Sequence, residues 1–330
     1  MFRIQIIRKT IALVTLALTT PLLAADLSPV KLLAAGRVDD AIVTLRGRIH
    51  ATPNDPQSQN LLCRAYLALN DWDSSIAACQ KAVQLAPENS EYHLWLGRAY
   101  GEKAENSSFI YAISLARKVR SEFETSVRLD PNNAEARSDL ADYYVEAPGF
   151  LGGGLDKAAA QAQQLNALDP AEAHLTHARI AEKQHDSASA ERELRAALEV
   201  SGGVPGRWID LAQFYKRNNR FDQMQDAIRH ATSAQDNQRV LAAAAEILID
   251  TQRNLPYAGD LLRRYLASET VEDAPAFKAH YLLGNLLEKE GDTEGAGQEY
   301  RNALALARDF TLAQNALKRL GQPADTIRLR

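Results

Sequence analysis

Four prolines punctuate the chain at nearly regular intervals, and no other feature constrains its fold as strongly. Pro53, Pro87, Pro131 and Pro170 follow one another at separations of 34, 44 and 39 residues, which is one unit of 34 with insertions of 10 and 5. The phrases around them recur: Val-Gln-Leu-Ala-Pro-Glu-Asn at 83–89, Val-Arg-Leu-Asp-Pro-Asn-Asn at 127–133 and Asn-Ala-Leu-Asp-Pro at 166–170. A period of this size marks units that cannot bury their apolar faces alone and must stack. Apolar residues three and four apart, such as Leu62, Tyr66 and Leu69, make those units helical. Small residues fall where two helices must cross closely. In the first helix of each unit these are Cys63, Gly97, Ala141, Ala178, Ala212 and Gly284; in the second they are Ala82, Ser126, Ala197, Ala231 and Ala303. A small side chain there lets the backbones approach and larger neighbours interlock.

Read residue by residue, these units resemble the tetratricopeptide repeat family, a pair of antiparallel helices in 34 residues. In 90–131 the match runs Trp95-Leu96-Gly97, Tyr100, Phe123, Ser126, Leu129 and Pro131. In 277–310 it runs Leu283-Gly284, Gly291, Ala296, Tyr300 and Ala303; in 205–238, Trp208, Leu211-Ala212, Tyr215 and Ala231. Units at 56–89, 134–170 and 171–203 fit comparably, 27–55 supplies a first unit, and 239–270 matches loosely because Glu246 stands where a small residue is expected. The resemblance implies an all-α, right-handed α-α superhelix: an array of about eight units over 27–310. Residues 311–320, with Leu312, Ala313, Ala316, Leu317 and Leu320 on one face, are expected to seal the open end as a capping helix, and 321–330 to form a disordered tail.

Two insertions depart from the family pattern. The first, near 101–120, reads as a second helix lengthened at its N-terminal end from about Ser107 or Ser108. Its apolar face (Phe109, Ile110, Ile113) is expected to pack against the next insertion, with a partner-binding knob as the alternative. The second, Ala147 to Lys157, carries glycines at 149 and 152–154. A glycine run before a helix can cradle an anion, but Leu155 stands where a phosphate loop has lysine and no strand precedes it. A structural loop in which Phe150 and Leu151 cover the lengthened helix is the expectation.

No catalytic constellation stands out. Cys63 and Cys79 face each other across one hairpin, and a disulfide or two buried thiols fit equally. His174 and His177 have a metal-compatible spacing, yet they sit on core-facing positions like His93 and His280. No metal or cofactor is therefore expected, nor an enzyme. Glu288 and Glu290 read as a solvated helix face.

Arg3, Arg8 and Lys9, the apolar run Thr10–Leu23 and the small pair Ala24-Ala25 have the layout of a secretory signal peptide. Export to the periplasm, with cleavage after Ala25, is the expectation. Its loss removes three cations and no acid, so the processed chain is more acidic than the net −4 of the whole. That balance argues against nucleic acid as a partner, and no later segment is apolar enough to span a membrane. The resemblance implies a concave surface that binds a protein or peptide, lined by Asn60, Arg64, Arg98, Asp142, Arg179, Gln213, Lys216, Tyr281 and Asn285. Its three arginines would favour acidic segments. The Lys/Asn/Arg carboxylate clamp of chaperone-binding members is not reproduced, since Asn285 alone matches it. The expected role is a scaffold or assembly factor of the cell envelope. A small-ligand or anion binder using residues 149–154, and a self-associating structural solenoid, are the competing readings.

Overall fold

The computed structural model describes residues 28–233 and 238–321. The expected signal peptide (1–25) and all but the first residue of the expected tail lie outside them. The described residues form seventeen α-helices and no strand. A short α1 (Pro29–Ala34) leads into α2 (Val38–Ala51). Hairpins follow: α3 (Pro56–Ala68) with α4 (Trp72–Leu85), α5 (Ser90–Glu105) with α6 (Phe109–Leu129), and α7 (Ala134–Glu146) with α8 (Leu155–Leu168). Next come α9 (Pro170–Lys183) with α10 (Ser187–Val200), α11 (Pro205–Arg217) with α12 (Phe221–Ser233), and α13 (Gln238–Asp250) with α14 (Leu255–Leu266). The last hairpin is α15 (Ala276–Glu290) with α16 (Thr293–Leu306), and α17 (Thr311–Arg319) ends the array.

Local chemistry explains the boundaries. Asp55, Asp71, Asn89, Asn133, Asp169, Asp186 and Asp292 each cap the following helix through a side-chain oxygen that accepts a backbone N–H. Turns inside hairpins use a left-handed residue just after the first helix: Asn70, His185, Asn219, Gln252 and Gly291. Pro170 does not close its unit; it occupies the first turn of α9, where a missing N–H costs nothing.

The small residues act as expected. A Cβ on Gly97 would lie 2.4 Å from the Phe123 ring, and one on Gly284 would lie 2.5 Å from Tyr300. A hydroxyl link also recurs between units: Arg46 donates to Tyr66, Gln80 to Tyr100 and Arg195 to Tyr215, while Tyr144 donates to Glu124. Each pair is 20 residues apart.

Curvature follows from which helices touch. The first helices of successive hairpins meet (α3 with α5, α7 with α9, α11 with α13), whereas the second helices of successive hairpins make no comparable contact. The first helices therefore line the concave side. The array does not stay open. Leu32, Leu33, Val38 and Ala41 share one core with Phe277, Tyr300, Phe310 and Leu317 from the opposite end. The Thr270 hydroxyl donates to Ala34 O at 2.8 Å, and Arg308 N–H donates to Asp39 at 2.9 Å. Two corrections follow. The array has no open end for α17 to seal: Ala313, Ala316 and Leu317 are buried, but Leu312 turns outward.

At the insertions, α6 has 21 residues against 12 to 14 in the other long second helices. The loop touches it through Leu151, which is buried and whose carbonyl accepts from Arg120 and Tyr143. Phe150 does not cover α6: it is 67% exposed, and Phe109 and Ile110 are 76% and 82% exposed. The loop is too short to reach the helix tip; it meets α6 about three turns further on, at Arg120.

Candidate concave binding face

The inner face is built from charges spaced by about one repeat. Arg98 on α5 donates to Asp139 at 2.6 Å and to Glu135 at 2.7 Å on α7. Arg179 on α9 pairs with Asp142 on α7 at 2.8 Å, and Lys183 with Glu146 at 2.7 Å. Arg217 on α11 pairs with Glu182 on α9 at 2.8 Å, and Lys216 with Asp250 on α13 at 2.6 Å. The ladder is carried across the junction of the ends. The guanidinium of Arg64 on α3 grips both carboxylate oxygens of Glu272, just before α15, at 2.7 and 2.6 Å. Arg64 and Arg98 both also stand over the Trp95 ring, at 4.7 and 4.8 Å from its centroid.

Of the nine lining candidates, Arg64, Arg98, Asp142, Arg179 and Lys216 are thus brought onto one surface, already partnered within the chain. Gln213 is half-buried on α11. Three others do not line the face. Asn60 is 3% exposed, because α1 and α2 pack over α3. Tyr281 packs its ring against Tyr300 and Phe310, and the Asn285 side-chain amide lies 2.8 Å from the Tyr300 hydroxyl. Glu288 is not merely solvated either; Tyr300 and Arg319 both donate to it.

Three lining charges went unrecognised in the sequence. Glu102 on α5, Glu246 on α13 and Lys278 on α15 converge on one stretch of the inner wall, each with no ion pair within 4 Å among the described residues. Burial pushes the Lys278 ammonium below the ordinary lysine range, although both acids pull it back up. Burial likewise raises Glu102 and Glu246, opposed by Lys278. The misfit of Glu246 to the repeat pattern was the available signal: a carboxylate stands there because it faces the interior of the array rather than a neighbouring helix. Burial also lifts Asp142 to about 6, despite the Arg179 charge beside it. A cavity of about 460 Å³ opens beside this stretch, lined in part by Arg64, Trp95, Arg98, Glu102 and Lys278.

The other candidate chemistry is structural. Cys63 and Cys79 form a disulfide with Cα atoms 5.2 Å apart. His93, His174 and His280 each hydrogen-bond through Nδ1 to a glutamate of the paired helix: Glu122 at 2.6 Å, Glu193 at 2.8 Å and Glu299 at 2.6 Å. Among the described residues no cluster of His, Cys, Asp and Glu could hold a metal. In the glycine loop, the N–H groups of Gly152, Gly153 and Gly154 donate to Gly149 O, Pro148 O and Tyr144 O. Those three donors are directed into the turn, away from any anion. Gly152 sits at φ +93°, and a Cβ on Gly153 would lie 1.7 Å from Ala147 O, so steric need explains the glycines.

A family model described as tetratricopeptide repeat matches residues 32–99, and a second of the same description matches 277–310. No curated protein sequence matches the chain. Solved structures resemble parts of it. A thermophilic tetratricopeptide repeat protein of Thermus thermophilus is 22% identical, with 52% of this chain and 89% of that one covered and a TM-score of 0.44. A tetratricopeptide repeat protein from Parabacteroides merdae is 12% identical over 86% and 93% of the two chains, with a TM-score of 0.40. MamA is 20% identical over 49% and 87%, with a TM-score of 0.39. Overall similarity at that level carries no argument about what this chain binds.

Proposed function

From the premise that the chain is a tetratricopeptide repeat protein, we propose that it is a non-enzymatic scaffold of the cell envelope that holds a protein partner against its concave face. The reading is carried by the convergence of Glu102, Glu246 and Lys278 on a wall whose other charges are paired. Glu102 and Glu246 are exposed to the groove and Lys278 is half-buried, so all three can be reached. A charge without a close partner gains more from an incoming opposite charge than one already paired. The partner segment would therefore carry both signs, a cation for Glu102 and Glu246 and an acid for Lys278. This replaces the simpler bias toward acidic segments, because Arg64, Arg98 and Arg179 are committed to acids of the chain itself. Export is supported by the layout of residues 1–25 and by the Cys63–Cys79 disulfide, a bond that persists in oxidising compartments.

Reversing two of the convergent charges tests the reading. Glu246→Lys with Lys278→Glu preserves the net charge and touches no ion pair of the ladder. Pulldown from an envelope extract should recover the wild-type partner and lose it with the double variant, while the melting temperature stays unchanged. Equal recovery by both proteins would reject the concave face as the site.

A further inference from the structure

We propose that the free end of α6 is a docking tip for an anionic phospholipid surface. The helix begins Phe109-Ile110-Tyr111, and these side chains are 76%, 82% and 50% exposed; its first buried residue is Leu115. Seven residues beyond the 14 of α4 amount to about 10 Å of extra helix. The apolar residues thus stand on the projecting end of the helix.

The charge around the tip decides the occupant. Between Glu105 and Glu122 there is no acidic residue, whereas Arg117 and Lys118 are exposed on the same helix. On a helical wheel Arg117 falls close to the direction of Ile110, so the outward face reads apolar at the end and basic two turns further along. The chain as a whole is acidic, with a net charge of −4, so an anionic surface repels most of the molecule. At this corner it meets Arg117, Lys118 and Lys103, the last over the Tyr111 ring at 5.3 Å and paired with Asp73, against Glu105 at the end of α5. Apolar side chains that enter the headgroup boundary below a basic collar are the arrangement by which peripheral helices hold an anionic bilayer. A neutral bilayer would lack the second contribution, and a protein groove would need no cationic collar. This proposal is independent of the concave face: α6 is the outer helix of its hairpin, and none of the tip residues belongs to the charge ladder.

Vesicle cosedimentation tests it, with the processed chain from Asp26 used throughout because the apolar run Thr10–Leu23 would bind lipid by itself. The wild type should sediment with phosphatidylglycerol/phosphatidylcholine vesicles at low salt, at least tenfold more than with phosphatidylcholine alone, and release in 0.5 M NaCl. Phe109→Ser with Ile110→Ser, and separately Arg117→Glu with Lys118→Glu, should each lower the partition at least tenfold. Val43→Ser, at an exposed apolar residue of α2, should leave it unchanged. All substituted side chains are exposed, and matching circular dichroism melts would show the fold intact. Equal binding to both lipid mixtures, no vesicle binding, or tip variants that bind like wild type would each overturn the proposal. So would a tip that crosslinks to a protein while the vesicles stay empty.

Discussion

At the scale of single residues, hydroxyl and carboxylate contacts between units carry more than the sequence pattern suggests, and Glu191 is the clearest case. It lies in α10 and faces α11. Burial alone would raise its carboxyl, but hydrogen bonds from Arg220, Tyr215 and Arg195 overcome that and hold it at about 2. A carboxylate lowered in the folded state stabilises at pH values above its unfolded range, and that contribution disappears as pH falls through the folded value. Glu191→Gln should therefore cost about 1.5–3 kcal/mol at pH 7, the range for hydrogen bonds to a charged group. The gap between variant and wild type should narrow as pH drops from about 4.5 toward 2, where the wild type loses the same contribution. Urea titrations of both proteins across that range check it; a gap that does not change with pH would mean that packing, not charge, is what the variant loses. At His93 the sign is reversed: the Glu122 hydrogen bond is the largest influence and raises the imidazole, so its contribution is present at low pH and lost as pH rises through the folded value.

At the scale of helices and hairpins, much was legible because the spacing is a direct consequence of packing. A glycine is required where Phe123 or Tyr300 presses on the facing backbone, at Gly97 and Gly284. The aspartates and asparagines that begin helices are likewise visible one by one. The concave face was less legible for an equally physical reason. A basic residue about one repeat from an acid can reach it only if the two first helices are adjacent, and adjacency is a property of the stack. Arg98 and Lys216 thus read as free lining groups in the sequence but are held by Asp139 and Asp250 in the fold. The insertions show the opposite limit: the length of α6 was readable from its period, but its burial was not, because that depended on how far the 147–157 loop reaches. The α3–α4 hairpin offers a test at this scale. Its disulfide closes a loop of 16 residues, worth about 3 kcal/mol through the entropy it removes from the unfolded chain. Cys63→Ser with Cys79→Ser should lower stability by about that amount while leaving helical content unchanged. Thermal melts with and without reductant should coincide for the variant and differ for the wild type.

At the scale of the whole molecule, the meeting of the two ends changes the kind of object the array is. In an open solenoid each unit touches only its neighbours, stability is a sum of unit and interface contributions, and the terminal units fray first. Here the first and last units are themselves neighbours, so an extra interface stabilises the least protected positions. Its two components differ in character. The Arg64–Glu272 pair is partly exposed and bidentate, and such a contact contributes about 1 kcal/mol. The apolar junction of Leu33, Phe310 and Leu317 is fully buried and should dominate. Gly36 discriminates between them. It sits at φ +67°, and a Cβ there would lie 2.7 Å from the backbone nitrogen of Ala276 on the opposite end. Gly36→Val must strain the left-handed turn and drive the ends apart, whereas Arg64→Ala removes only the pair. Small-angle scattering should show an increased radius of gyration for Gly36→Val with helical content preserved, and little change for Arg64→Ala. Hydrogen exchange should then report faster opening of α2 and α16 in the valine variant, with α9 to α12 protected as before. If both variants keep the wild-type dimensions, the junction does not hold the ends together; if Arg64→Ala alone expands the molecule, the ion pair and not the apolar seam is the clasp.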